Sequence, residues 1–280
     1  MITVSNFIIL KRRMIMKKII ALLLAMMMLA SATVLFTSCG EKADTLDMAT
    51  NAAFPPYEFK DGETFKGIDV EIAGLIAEKL GMELKIHDVE FGSIIAGVQS
   101  GKFDMGIAGM TVTDERKEKV NFSETYAKGV QVVIVKEDCE YASFEDFYTE
   151  IKDDTPQGVK EGIKIGVQQD TTGDIYSSDE PKNWGFGEDN VIRYKTGADA
   201  VQALISGKVT AVIIDNEPAK SFVEGNKGLK IMDATYVEED YAIAIAKENT
   251  ELLDKINKAL DELEAEGKLA EIIEKYIPSK

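Results

Sequence analysis

Two distant segments of this chain follow one plan, and that repetition limits the fold more than any other feature. Residues 98–111, VQSGKFDMGIAGMT, and residues 204–217, LISGKVTAVIIDNE, each end a helix, turn at Ser-Gly-Lys, run an apolar strand and stop at a polar or Gly-rich loop. Glycine directly after the last helical residue is the expected stop, since it adopts a left-handed conformation without a Cβ clash. Residues 46–59, LDMATNAAFPPYEF, and 163–176, IKIGVQQDTTGDIY, echo one another as well: a short strand opens into a polar loop. Strands alternating with helices predict an α/β chain, and two similar halves predict two lobes.

The helices between these units read from their apolar spacing. Asp69 is placed to cap a helix over 70–80, with Ile72, Ala73, Ile76 and Leu80 on one face and Gly81 as its stop. On that reading Asp69 and Glu71 are a cap and a first-turn acid with no part in a site. A second helix is expected over 198–205. Leu253, Ile256, Leu260 and Leu263 mark an amphipathic helix closed by Gly267, and a last helix spans 268–276 before Pro278.

The N-terminus reads as a targeting segment. Lys11, Arg12, Arg13, Lys17 and Lys18 precede an apolar run over 19–36, followed by Thr37, Ser38 and Cys39. A basic stretch, an apolar core and small residues describe a secretory signal. A cysteine directly after small residues resembles a lipoprotein signal, in which Cys39 is lipidated and becomes the first residue. An uncleaved membrane anchor is the alternative, since the run is long enough to span. Translation starts at Met1, Met14 or Met16 are all compatible with the segment. Loss of five basic residues with this signal takes the formal net charge from −17 to −22. A chain this acidic repels phosphate backbones, which argues against nucleic acid as a partner. Cys139 has no partner once Cys39 is lipidated, so there is neither a disulfide framework nor a thiolate metal cluster. The one histidine, His87, stands at the polar end of a strand-like run and is expected to be solvated.

Loops at the carboxyl ends of strands are where an α/β protein holds ligands. Four such loops, 51–57, 109–116, 168–173 and 215–217, would face one another across a cleft between two lobes. Residues 39–280 hold only two arginines, Arg116 and Arg193, among many lysines. Arginine is a planar fork that grips a carboxylate through two parallel hydrogen bonds. A surface pairing with Glu115 or Glu118 is the competing local reading of Arg116. Thr171, Thr172 and Gly173 open a predicted helix whose free N–H groups attract an anion. Asp215 ends an apolar strand, where an acid needs a cation such as an ammonium; a helix N-cap before Glu217 is an equal local reading. Thr111 can serve either partner. A positive clamp, a negative clamp and a hydroxyl between them complement an α-amino acid.

At these residues the chain resembles the family 3 extracytoplasmic solute-binding proteins, the polar amino acid receptors of ABC importers. The resemblance is carried by FPPYEF (54–59), GIDVEIAGLIAEKLG (67–81), FGSIIAGVQSGKFD (91–104), AGMTVTDERKEKVNFSETY (108–126), IGVQQDTTGD (165–174) and the strand end at Asp215. It implies a two-lobed type II periplasmic-binding-protein fold, with crossing hinge strands near 126–131 and 236–243 and a ligand cleft between the lobes. The implied organisation is a signal over 1–38, a lipidated linker over 39–45, lobe one over 46–127 and 239–280, and lobe two over 128–238. The implied roles are Arg116 and the Thr172 N–H for the ligand carboxylate, and Asp215, Gly109 and Thr111 for its ammonium. Asn51, Phe54, Phe91 and Gln168 would line the side-chain pocket, with Met110 and Thr171 in the same loops. Asp170 departs from the pattern, which has glycine there, and adds an acid near the carboxylate clamp. Uncharged Asn51 and Gln168 favour a neutral side chain on the ligand.

The resulting expectation is a monomeric, lipid-anchored receptor on the outer face of the cell membrane. It would pass an amino acid to an importer's permease and ATPase, with no cofactor or metal. Two other classes compete. The same scaffold hosts dehydratases of cyclic amino acids, for which Glu58 and Asp215 would be the carboxylate pair. A signalling sensor would need a second membrane span, which the sequence lacks. No nucleophile elbow, phosphate loop or metal-ligand set is present to support another enzyme class.

Overall fold

Both Ser-Gly-Lys turns close a helix with the same hydrogen bonds. In the computed structural model, Lys102 N–H donates to Gly97 O at 2.9 Å and Gly101 N–H to Val98 O at 3.0 Å. In the second copy, Lys208 N–H donates to Ala203 O at 2.9 Å and Gly207 N–H to Leu204 O at 3.0 Å. Gly101 and Gly207 lie at φ +71° and +73°, the left-handed conformation that this two-bond helix ending requires. The structure describes residues 44–233 and 236–278. The expected secretory signal and the lipidated Cys39 lie outside the described residues.

The chain runs β1 (Thr45–Thr50), α1 (Ile68–Leu80), β2 (Glu83–Asp88), α2 (Gly92–Gln99), β3 (Met105–Gly106), α3 (Asp114–Lys119) and β4 (Val120–Phe122). It continues through β5 (Ala127–Lys136), β6 (Ile165–Gln168), α4 (Thr172–Ser178), β7 (Val191–Tyr194), α5 (Gly197–Ile205), β8 (Ala211–Asp215), α6 (Asn216–Gly225) and β9 (Leu229–Ile231). It returns through β10 (Val237–Tyr241) and β11 (Ala244–Ala246) and ends in α7 (Thr250–Ala265) and α8 (Lys268–Tyr276).

These strands form two principal sheets. The first has the order β2-β1-β3-β11-β4, and the second β7-β6-β8-β5-β9 with β10 also paired to β5. In each, the strands that follow the βαβ plan are parallel, β1 with β2 and β3, and β6 with β7 and β8. The remaining strands add antiparallel partners. Along β1 the pleat sends Leu46 and Met48 into a core shared with Ile72, Ile76, Ile256 and Leu260, while Ala49 faces the opposite core with Ile94 and Val98. Helices therefore cover both faces of the first sheet, as parallel strands require.

The chain crosses between the sheets twice. It leaves after β4 and enters the second sheet at β5; it returns along β10 and rejoins the first at β11. The two crossings pair antiparallel, Ala127 opposite Tyr241 and Gln131 opposite Val237. They are the two crossing strands that the resemblance implies.

One helix start differs from expectation. Helix α1 begins at Ile68 with Gly67 as its N-cap, at φ 124°, where a Cβ would lie 2.1 Å from the Tyr57 carbonyl oxygen. Asp69 is therefore inside the first turn, and it is fully buried rather than capping. The spacing of 69, 72, 73 and 76 puts it on the buried face.

Candidate functional site

The loops at the ends of β1, β3, β6 and β8 converge on a narrow cavity between the lobes. It is nearly closed up, with about 10 Å³ of free volume, and is lined by Asn51, Phe54, Glu58, Phe91, Ala108, Gly109, Thr111, Arg116, Gln168, Thr171, Thr172 and Asp215. Met110 is the one expected site residue that does not line it. Its side chain is fully buried among Ile94, Val98 and Val120, beyond the bend at Ala108 and Gly109, where Gly109 takes φ +50°.

Arg116 is held by its own helix start. The Thr113 hydroxyl caps α3 by accepting from Arg116 N–H at 3.1 Å. The guanidinium donates through Nη1 to Thr111 O at 2.7 Å and through Nη2 to Asp170 O at 3.0 Å, and it lies 5.3 Å from the centroid of the Phe91 ring. The surface pairing does not form: Glu115 bonds Lys119 at 2.7 Å instead. Burial lowers the Arg116 pKa from its ordinary value, yet arginine stays charged. With two carbonyls as its hydrogen-bonded partners, the fork retains positive charge for an anion in the cavity. Arg193, the other arginine, bonds Asp174, Ser178 and Glu188 at 2.8–2.9 Å and fixes α4 from outside the cavity.

Asp215 stands at the N-cap position of α6, but its carboxylate caps nothing. It accepts from the Tyr241 hydroxyl. Burial, reinforced by the nearby Glu239 charge, pushes its pKa up from 3.8 to about 7. A bound cation would relieve that cost. Gln131 joins this region to the carboxylate side of the site: its Nε2 donates to Glu239 Oε2 at 2.9 Å and lies 3.4 Å from Thr172 Oγ1.

Three further contacts bridge the lobes. Thr111 and Thr172 hydroxyls lie 3.4 Å apart. Gln168 Nε2 donates to Asn51 Oδ1 at 2.9 Å, and Asn51 Nδ2 donates to Val89 O at 2.8 Å. Lys195 meets Glu90 at 2.7 Å on the exposed rim. Thr171 caps α4 by accepting from Asp174 N–H at 3.3 Å, so its role is shared between cavity lining and helix start. His87 bonds Asp47 on the first sheet and does not line the cavity.

Several residues of this site escaped the sequence reading. Asp69 accepts from Gly109 N–H at 2.7 Å and from the Tyr126 hydroxyl at 2.9 Å, tying a lining loop to the first crossing. Beside it Glu58, which the sequence offered only for the dehydratase alternative, is buried with one oxygen unpartnered, and burial together with Asp69 raises its pKa well above the ordinary value. Burial lifts Asp69 to about 6. Of the two, Glu58 is the member whose surroundings favour the protonated form. Gln131, Glu239 and Tyr241 were missed too. The available signal was the acid at 69 on an apolar stripe; Glu239 sits in a charged run that reads as solvated strand.

Comparison with known proteins agrees with this fold. The chain is 33% identical over 257 residues to the arginine-binding extracellular protein ArtP of Bacillus subtilis (strain 168), covering 88% of this chain and 94% of that one. An ancestral arginine-binding protein solved with arginine superposes at TM-score 0.74 with 38% identity, over 85% of this chain and all of the other. An ancestral arginine-binding protein solved with glutamine superposes at TM-score 0.73, also at 38% identity, over 84% of this chain and 98% of the other. The profile of the bacterial extracellular solute-binding proteins, family 3, matches residues 46–279, and the chain belongs to that family.

Proposed function

We propose that this protein captures an α-amino acid outside the cytoplasm and delivers it to the permease of an ABC importer. The observation that carries this reading is the convergence of Arg116, Thr111, Thr172 and Asp215, drawn from both lobes, on one cavity. Arg116 receives the carboxylate and Asp215 the ammonium. The Asn51–Gln168 amide pair and the Phe54 and Phe91 rings receive the side chain. Amides recognise planar polar groups and aromatic faces favour flat cations. L-arginine and L-glutamine are therefore the first ligands to try, in keeping with what the ancestral relatives hold. The reading is one of binding without turnover.

Calorimetry against the twenty amino acids tests it. We expect one or a few to bind, and Arg116→Ala to weaken that binding by about 2–5 kcal/mol while the protein stays folded. Wild-type affinity in Arg116→Ala would remove the carboxylate clamp; no binding by the wild type would remove the function. We also propose the lobe division 46–127 with 239–280, and 128–238, which the strand pairings support, a monomeric state, and anchoring through a lipid on Cys39. Fractionation of Cys39→Ser tests the anchor: membrane retention at the mature size would exclude it.

A further inference from the structure

Asp170 adopts φ +64°, a conformation L side chains rarely take. Its neighbours over-determine it. Its N–H donates to Asp174 Oδ2 at 3.0 Å and its carbonyl accepts from Arg116 Nη2 at 3.0 Å. With the backbone so held, the carboxylate is carried across the cleft mouth onto lobe one, where it lies over Gly92. A Cβ built at Gly92 would sit 2.1 Å from Asp170 Oδ2, 2.9 Å from its Cγ and 3.2 Å from its Cβ. Gly92 is the first residue of α2, whose N-cap Phe91 offers no side-chain cap bond. A carboxylate is favoured at that end of a helix by the partial positive charge there.

Gly92 has no other evident reason to be glycine. Its φ is not positive, and the three atoms nearest the place a side chain would take all belong to Asp170. Alanine would also suit a helix better. Its missing side chain makes room for Asp170, which belongs to the opposite lobe. We propose that Asp170 and Gly92 form an interlobe latch that holds the cleft shut over its bound ligand and slows release. The proposal rests on the amino-acid-binding reading for its purpose, whereas the contact itself is between two residues of the chain. Asp170 would thus couple the two halves of the site: its carbonyl steadies the Arg116 fork, and its carboxylate secures the lobe that carries that fork.

Stopped-flow release of L-arginine, or of the amino acid that calorimetry identifies, reads the latch. Gly92→Ala and Asp170→Gly should each speed release at least about fivefold, the lower end of ordinary coupling between sites. Gly92→Ala displaces the Asp170 carboxylate from its place over α2, and the Asp170 Cβ at 3.2 Å must also give by a few tenths of an ångström. The double variant should release no faster than the faster single variant, because both changes remove one contact. Melting of ligand-free Gly92→Ala should not fall, which separates loss of the latch from loss of the fold. Small-angle scattering of the ligand-free protein gives a readout that needs no ligand: Gly92→Ala should have the larger radius of gyration. If the wild type binds no amino acid, the functional reading fails while this radius still tests the latch. Unchanged release and radius in both single variants overturn the latch, as do accelerations that multiply in the double variant.

Discussion

Asp215 carries most of the pH response expected of the ligand site. Its pKa is raised from 3.8 to about 7, and that of Asp69 from 3.8 to about 6, by burial above all. The folded chain therefore holds more protons than the unfolded chain between about pH 4 and 7. Their contribution to stability is complete below the unfolded value and is lost as pH rises through 6 to 7. The acids with lowered values, such as Asp47, Asp61 and Glu115, act in the opposite sense but below the ordinary carboxylate range. Ligand-free protein should melt at a lower temperature at pH 8 than at pH 5, and Asp215→Asn should flatten that difference. Binding runs the other way. An ammonium needs the ionised carboxylate, so affinity should weaken as pH falls below about 7, approaching tenfold per unit. Calorimetry from pH 5 to 8 checks this, and a pH-independent affinity would show that Asp215 does not receive the ammonium.

At the scale of elements, the two matched helix endings make a paired test. Gly101 and Gly207 share their conformation and hydrogen bonds, and the space around each is open enough for a methyl group. Alanine at either site costs only the left-handed backbone penalty, about 1–2 kcal/mol. Denaturant midpoints should fall by similar amounts in Gly101→Ala and Gly207→Ala. These endings were legible in the sequence because they are local: an apolar stripe, then glycine. The helices ending at Gly81 and Gly101, the last helix over 268–276, and the loops after β3, β6 and β8 all follow from such signals. Asp69 was not legible, since a capping acid and a buried acid look alike until Gly109 and Tyr126 arrive from elsewhere in the chain. Met110 follows the left-handed bend at Gly109, which breaks the alternation that would otherwise predict its facing. The Asn51–Gln168 pair joins residues far apart in sequence, so no local pattern announces it.

For the whole molecule, the proposed site would make closure and ligand capture one event. A ligand touching Arg116 of one lobe and Asp215 of the other binds the closed form better and shifts the population toward it. Small-angle scattering should show the radius of gyration falling when the identified amino acid is added; a constant radius would place binding outside the cleft. The topology has a different consequence, for biosynthesis. The second sheet is drawn from one unbroken stretch, 127–241, whereas the first lacks its inner strand β11 until residue 246 joins β3 and β4. Helices α7 and α8 also belong to the first lobe, through Lys79 to Glu262 and Glu266 and the edge-on packing of Tyr276 against Phe59. A chain emerging from its N-terminus therefore begins the lobe that it completes last. Until the C-terminal segment arrives, the apolar face carrying Leu46, Met48, Ile72 and Ile76 has no cover from Ile256 and Leu260. Over that interval the first half keeps an apolar face open to solvent, and a chain cut short after β10 would keep its second sheet while leaving the first open.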